Sequence, residues 1–91
     1  MEEKFLAALA ASREKAEAMG IRIRPIEDLN QARRVLSGTR LSDGFAQLAA
    51  KGHLELSLEA LAVKKPYTEL FTDEEANEAL TRLLEAGYSF R

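Results

Sequence analysis

The spacing of residues over the first twenty positions predicts one amphipathic helix. The residues that share a side recur every three or four positions and are Phe5, Leu9, Ser12, Ala16 and Met19. This stripe is apolar apart from the small Ser12, and it fits a helix of about 18 residues. Gly20 comes directly after it, so we expect Gly20 to take the left-handed conformation that ends a helix.

A second helix is predicted after a short connector. Residues 21–26, IRIRPI, begin with alternating apolar and basic side chains, and Pro25 favours an extended backbone at Arg24. We interpret this segment as a connector or a very short strand. Asp28 has the side chain of a helix cap, and Gln31 stands three residues later to complete a capping box. Gly38 is expected to end this helix, whose apolar face is Leu29, Ala32, Val35 and Leu36.

Residues 42–66 predict two further short helices. Ser42 stands just ahead of a third apolar face made of Phe45, Leu48 and Ala49, and Gly52 follows its last turn. Leu54 to Leu56 is expected to be a brief extended link. Ser57 is expected to cap the fourth helix, which Pro66 ends and whose inward face is Leu58, Leu61 and Ala62.

The clearest helix start is the segment TDEE, which follows an expected irregular turn at residues 67–71. Thr72 can accept a hydrogen bond from the Glu75 amide while the Glu75 carboxylate reaches back to the Thr72 amide. Glu78 and Arg82 are spaced as an ion pair on this fifth helix, and Gly87 ends it. The sequence therefore predicts an all-α fold, a bundle of about five short helices.

Length and composition predict one soluble domain. The chain has 91 residues, 46% of them hydrophobic and 31% charged, which is ordinary for a single globular core. It contains no cysteine, so disulfides and thiolate chemistry are excluded, and a reducing compartment fits. Two acids at the N-terminus argue against a secretory signal, and no stretch is apolar enough to span a membrane. We expect a cytoplasmic protein that does not bind membranes.

Candidate catalytic chemistry is sparse, so no enzyme, cofactor or metal site is predicted. His53 is the only histidine, and the spacings typical of histidine metal sites or of a serine nucleophile are absent. Glu74, Glu75 and Glu78 resemble paired catalytic carboxylates, but they lie on the first turns of a helix. There we expect solvated side chains that stabilise the helix dipole.

Charge is unevenly distributed along the chain. Residues 21–65 have a net charge of +3, whereas residues 66–91 have a net charge of −4. Attraction between the two segments within one fold explains this asymmetry, and a basic face for nucleic acid is the alternative. The cations expected on such a face lie close to predicted helix ends: Arg33, Arg34, Arg40, Lys64 and Lys65.

A resemblance to a known family covers residues 41–88, a little over half of the chain. Its blocks in this sequence are SDGF, LSLEAL and LFTDEE, followed by an arginine-bearing helix that closes in GY. They resemble an uncharacterised family of small bacterial proteins. The chain departs from that pattern at Ala62, at His53 and around Ala46 and Gln47. The resemblance implies membership and lends no activity or site residue.

The first functional hypothesis is a non-enzymatic interaction module that binds a protein partner or associates with itself. Asp43 and Gly44, on a predicted corner, are its candidate surface residues. Tyr67, Tyr88 and Phe90 are candidate exposed aromatic residues. The alternative hypothesis is an accessory protein that binds nucleic acid through the central cations.

Overall fold

Five α-helices joined by short connections form the part of the chain that the computed structural model describes, residues 2–38 and 41–88. The described residues contain no strand, which confirms the predicted all-α fold. Two short 3₁₀ turns, Leu54–Leu56 and Tyr67–Leu70, lie between helices. The helices are α1 (Glu2–Ala18), α2 (Leu29–Ser37), α3 (Phe45–Lys51), α4 (Leu58–Ala62) and α5 (Asp73–Glu85).

Helix α4 lies at the centre of the bundle, and all five of its residues are buried. Two groups of apolar side chains pack around it. The first joins α4 to α1, α2 and α5 through Phe5, Ala32, Leu36, Leu58, Leu61, Ala62, Phe71 and Ala79. The second joins α4 to α1, α3 and α5 through Ala16, Ile21, Phe45, Leu48, Leu54, Ala60 and Leu83.

Side-chain caps begin three of the helices as expected. Thr72 Oγ1 accepts from the Glu75 amide at 3.1 Å and the Thr72 amide donates to Glu75 Oε1 at 2.9 Å, so the predicted capping box is confirmed. Ser57 Oγ caps α4 by accepting from Ala60 N. Asp28 caps α2 by accepting a hydrogen bond from the Gln31 amide. The Gln31 side chain does not bond back to the Asp28 amide, because its Oε1 accepts from the amide of Glu27, one residue earlier. The capping box predicted for α2 is therefore only half formed.

Two predicted features differ from the structure. Helix α4 ends at Ala62, well ahead of Pro66, because the Lys64 amide donates to the Leu61 carbonyl and tightens the last turn. Lys64 and Lys65 therefore lie in a turn beyond the helix. The link at Leu54–Leu56 is a 3₁₀ turn and is not extended. Residues 21–26 form an irregular connector, which is one of the two alternatives that the sequence predicts for them.

Gly44 begins α3, and its surroundings require glycine. Its φ is +77°, a left-handed conformation that other residues adopt at a cost. A Cβ atom there would lie 2.9 Å from Ile21 Cγ2 and 2.9 Å from Ile23 Cγ1. The connector at residues 21–26 packs so closely on the start of α3 that only glycine fits at position 44 without a shift of its neighbours.

No helix within the described ranges combines the length and apolar character needed to cross a bilayer.

We predict that Gly44→Ala lowers the free energy of unfolding by about 2–4 kcal/mol, since backbone strain and overpacking against two stiff isoleucines add together. Gly52→Ala is the matched control, because Gly52 has a φ of +74° and open space around the added methyl group. It should cost only about 1 kcal/mol. Urea unfolding of both variants measures the difference, and equal losses would contradict the packing explanation.

Candidate functional site

A groove with a volume of about 580 Å³, which we call the arginine groove, lies among the described residues. It lies between α1, the connector at residues 23–26, α2 and the segment at residues 41–43, with Leu56 and Leu58 also lining it. Its apolar lining includes Leu9, Ile23, Ile26, Val35, Leu41 and Leu56. Leu41 is half exposed at 50%, so the groove presents apolar surface to solvent.

Among the described residues, the charged side chains that line the arginine groove are three arginines and one aspartate: Arg13, Arg24, Arg34 and Asp43. Arg24 binds Asp43 through its Nε at 3.0 Å and its backbone amide at 3.2 Å, both to Oδ2. Arg13 contacts Glu17 of the same helix at 3.4 Å, with both side chains partly exposed. Arg34 is exposed on α2. The described part of the lining thus carries an excess of two positive charges over an apolar surface.

A fully buried ion pair lies behind the arginine groove. Glu59 on α4 is 0% exposed, and its Oε2 lies 3.1 Å from Arg82 NH1, on α5. Arg82 also donates from Nε to Glu78 at 2.8 Å. Because the Arg82 side chain is only 3% exposed, this pair is shielded from water, and each charge depends on the other.

The same ion pair holds two residues that line the groove. Arg82 NH2 donates to the carbonyl of Gly38 at 2.9 Å. Glu59 accepts from the Ser42 amide at 3.1 Å and from its hydroxyl. Gly38 and Ser42 both line the groove, and Leu41 lies between them. The position of Leu41 is therefore tied to the charged centre of the bundle.

A second ionic cluster joins α2 to the start of α5. Arg33 Nε donates to both carboxylate oxygens of Glu75, at 3.1 and 3.2 Å, and Ser37 Oγ donates to Oε2 at 3.1 Å. Burial alone would raise the pKa of Glu75, but the bonds from the Thr72 amide, Arg33 and Ser37 lower its pKa overall. The expectation of a solvated Glu75 is therefore wrong, since this residue is 7% exposed.

The structure divides the predicted basic set. Arg33 is engaged by Glu75, whereas its neighbour Arg34 lines the arginine groove. Lys64 and Lys65 are exposed in the turn after α4, outside the groove lining. Arg40 lies outside the described residues.

The two candidate corner residues have different roles. Asp43 lines the arginine groove with Arg34, so the structure brings these two predicted residues together. Position 44 requires glycine because it packs closely against the connector, which is a structural role. Arg13 and Arg24 complete the charged lining, and the sequence analysis did not select them.

The candidate aromatic residues that the structure describes belong to the core edge. Tyr67 is partly buried, with its ring edge-on to Phe5 at a centroid distance of 5.4 Å. Tyr88 is partly buried against the second apolar group. Phe90 lies outside the described residues. The expectation that Tyr67 and Tyr88 are exposed is therefore wrong.

His53 is exposed and contacts one neighbouring carboxylate. Its Nδ1 lies 3.1 Å from Glu55 Oε2, and this hydrogen bond lowers the pKa of Glu55. Across residues 2–38 and 41–88, no group of three or more histidine or acidic residues is arranged to hold a metal ion.

Comparisons with family models, with curated proteins and with solved structures find no match to this chain. The resemblance drawn from residues 41–88 therefore stays a prediction.

We predict that Arg82→Met lowers the free energy of unfolding by about 3–5 kcal/mol, because it leaves the Glu59 carboxylate buried without a cation. Glu17→Gln removes an exposed ion pair and should cost less than about 1 kcal/mol. Urea unfolding at pH 7 compares the two variants. A loss at Arg82 as small as that at Glu17 would show that the buried pair is not a main source of stability.

The lowered pKa of Glu75 predicts a pH-dependent contribution to stability. A carboxyl with a lowered pKa in the folded state stabilises the fold above its unfolded pKa, and this contribution is lost as the pH falls through the folded value. Glu75→Gln should therefore cost about 1–2 kcal/mol at pH 7, and its deficit should shrink under acid conditions. Urea unfolding from pH 7 to pH 3 measures this change. Glu74→Gln, at an exposed neighbour, should show a smaller deficit at every pH.

Proposed function

We propose that this protein is a non-enzymatic interaction module that binds an acidic, amphipathic helical segment of a partner protein in the arginine groove. The observation that carries this proposal is the combination of an open apolar lining with an excess of positive charge. A helix that binds in a groove inserts apolar side chains spaced one turn apart. The charged residues beside them determine which groove the helix binds.

The distribution of charges within the groove indicates which arginines act on a ligand. Asp43 already neutralises Arg24. Arg34 is exposed and lies beside Val35, which belongs to the apolar lining, so an acid next to an apolar anchor would meet its guanidinium. Arg13 lies on α1, across the groove from α2, and its pair with Glu17 is long and partly exposed. Arg34 and Arg13 are therefore the expected contacts for acidic residues.

The non-enzymatic part of the proposal is supported by how the groove's polar side chains are engaged. Asp43 is held by two hydrogen bonds from Arg24, so this carboxylate is already engaged by a cation of the same groove. The other charged side chains described in the lining are guanidinium groups, whose planar N–H donors are suited to binding carboxylates. The proposal includes the cytoplasmic location that the sequence predicts.

Nucleic-acid binding is less well supported by the arrangement of the cations. Arg33 is engaged by a buried carboxylate and faces α5, whereas Arg34 faces the groove. Such a division does not give the continuous basic surface that follows a phosphate backbone. Nucleic-acid binding is tested by the DNA duplex in the experiment below.

The test uses a synthetic 16-residue helical peptide with two leucines four positions apart and glutamates beside them, labelled for fluorescence anisotropy. We expect it to bind, with an affinity that falls as salt concentration rises. Arg34→Glu should weaken binding by about tenfold or more, because an attractive charge becomes repulsive.

Lys64→Glu is the matched control, since it makes the same charge change at an exposed site outside the groove. A peptide in which lysines replace the glutamates should not bind. If both variants weaken peptide binding equally, or if a labelled 20-base-pair duplex binds at low salt while the acidic peptide does not, the proposal fails. The second result would favour the nucleic-acid alternative.

A further inference from the structure

The outward face of α5 carries two leucines one helical turn apart. Leu80 is 37% exposed and Leu84 is 57% exposed, and together with Leu41 they are the large apolar side chains most open to solvent in the described residues. Spacing of i and i+4 places both on one stripe of the helix. Asn77 and Thr81, also exposed, share this side of α5. The stripe therefore resembles the apolar face of a helix that binds in a groove.

The charges around this stripe are acidic. Asp73, Glu74 and Glu85 are exposed on α5. The basic residue of α5, Arg82, is buried and engaged by Glu59 and Glu78, so it does not offset them at the surface. Helix α5 thus presents leucines and negative charge, whereas the arginine groove presents an apolar lining and positive charge.

We propose that the occupant of the arginine groove is α5 of a second copy of this chain, with Leu80 and Leu84 as the apolar anchors. This inference rests on the proposed function and names its partner. No α5 residue lines the groove, so the two complementary surfaces are distinct parts of one molecule. The contact is therefore head-to-tail, and it extends into a chain of molecules or closes into a ring.

The size of the contact sets the conditions of the test. One helix of 13 residues in a groove buries less surface than a standard protein interface, so the association is weak and depends on concentration. It should be followed by analytical ultracentrifugation from about 10 µM to 1 mM protein, a range suited to small interfaces.

The experiment uses one variant for each surface. Arg34→Glu disables the groove and leaves α5 unchanged, whereas Leu84→Arg removes an anchor and adds a repelling charge but leaves the groove unchanged. The mass of the wild-type protein should rise above that of a monomer as concentration rises, and each variant alone should stay monomeric. An equal mixture of the two variants should form a dimer and nothing larger, because it contains one working groove and one working α5 per pair.

Two controls make the same changes elsewhere on the surface. Lys64→Glu matches the charge change of the groove variant, and Ala50→Arg places an arginine on an exposed position of α3. Both should assemble as the wild-type protein does. Circular dichroism verifies that the variants are folded.

A wild-type protein that stays monomeric at 1 mM, or a mixture that stays monomeric, would overturn the inference. The Leu84→Arg variant separates this failure from a failure of the proposed function, since its groove is intact. If that variant binds the acidic peptide while the wild-type protein does not self-associate, the groove binds another partner. If it binds no peptide, both proposals fail.

Discussion

The fold depends on one buried ion pair, between Glu59 of α4 and Arg82 of α5. Helix α4 is enclosed by protein on every side, so its single carboxylate has no access to water. An isolated buried charge costs several kcal/mol, and only a cation with satisfied hydrogen bonds compensates for it. Arg82 meets this need and directs its remaining donors to Glu78 and to the carbonyl of Gly38. One guanidinium therefore fixes the positions of α4, α5 and the end of α2.

This arrangement links the interior of the bundle to its surface. Glu59 holds Ser42, the neighbour of Leu41, and Arg82 holds Gly38, so two residues of the groove lining are attached to the buried pair. The buried arginines and the surface arginines consequently have different roles. Arg82 and Arg33 are engaged by buried carboxylates and stabilise the fold, whereas Arg13 and Arg34 line an open groove. Net charge alone does not reveal this division.

The helices and their caps could be predicted because their signals are local. Thr72 and Glu75 are three residues apart, and Gly20 takes its left-handed conformation directly after α1. The site could not be predicted in the same way. Glu59 and Arg82 are 23 residues apart, and Arg13, Arg24 and Arg34 lie on three different elements, so their meeting depends on tertiary packing. One signal was present in the segment LEALA, where a lone acid among apolar residues could have indicated a buried, paired charge.

The central position of α4 has a consequence for how the chain acquires its structure during synthesis. The partners that bury α4 come from both sides of it in the sequence, from α1 and α2 before it and from α5 after it. A nascent chain that has emerged only as far as α4 still lacks the arginine that neutralises Glu59. We therefore expect the bundle to close only when α5 leaves the ribosome, and we expect neither half of the chain to persist as an independent folding unit.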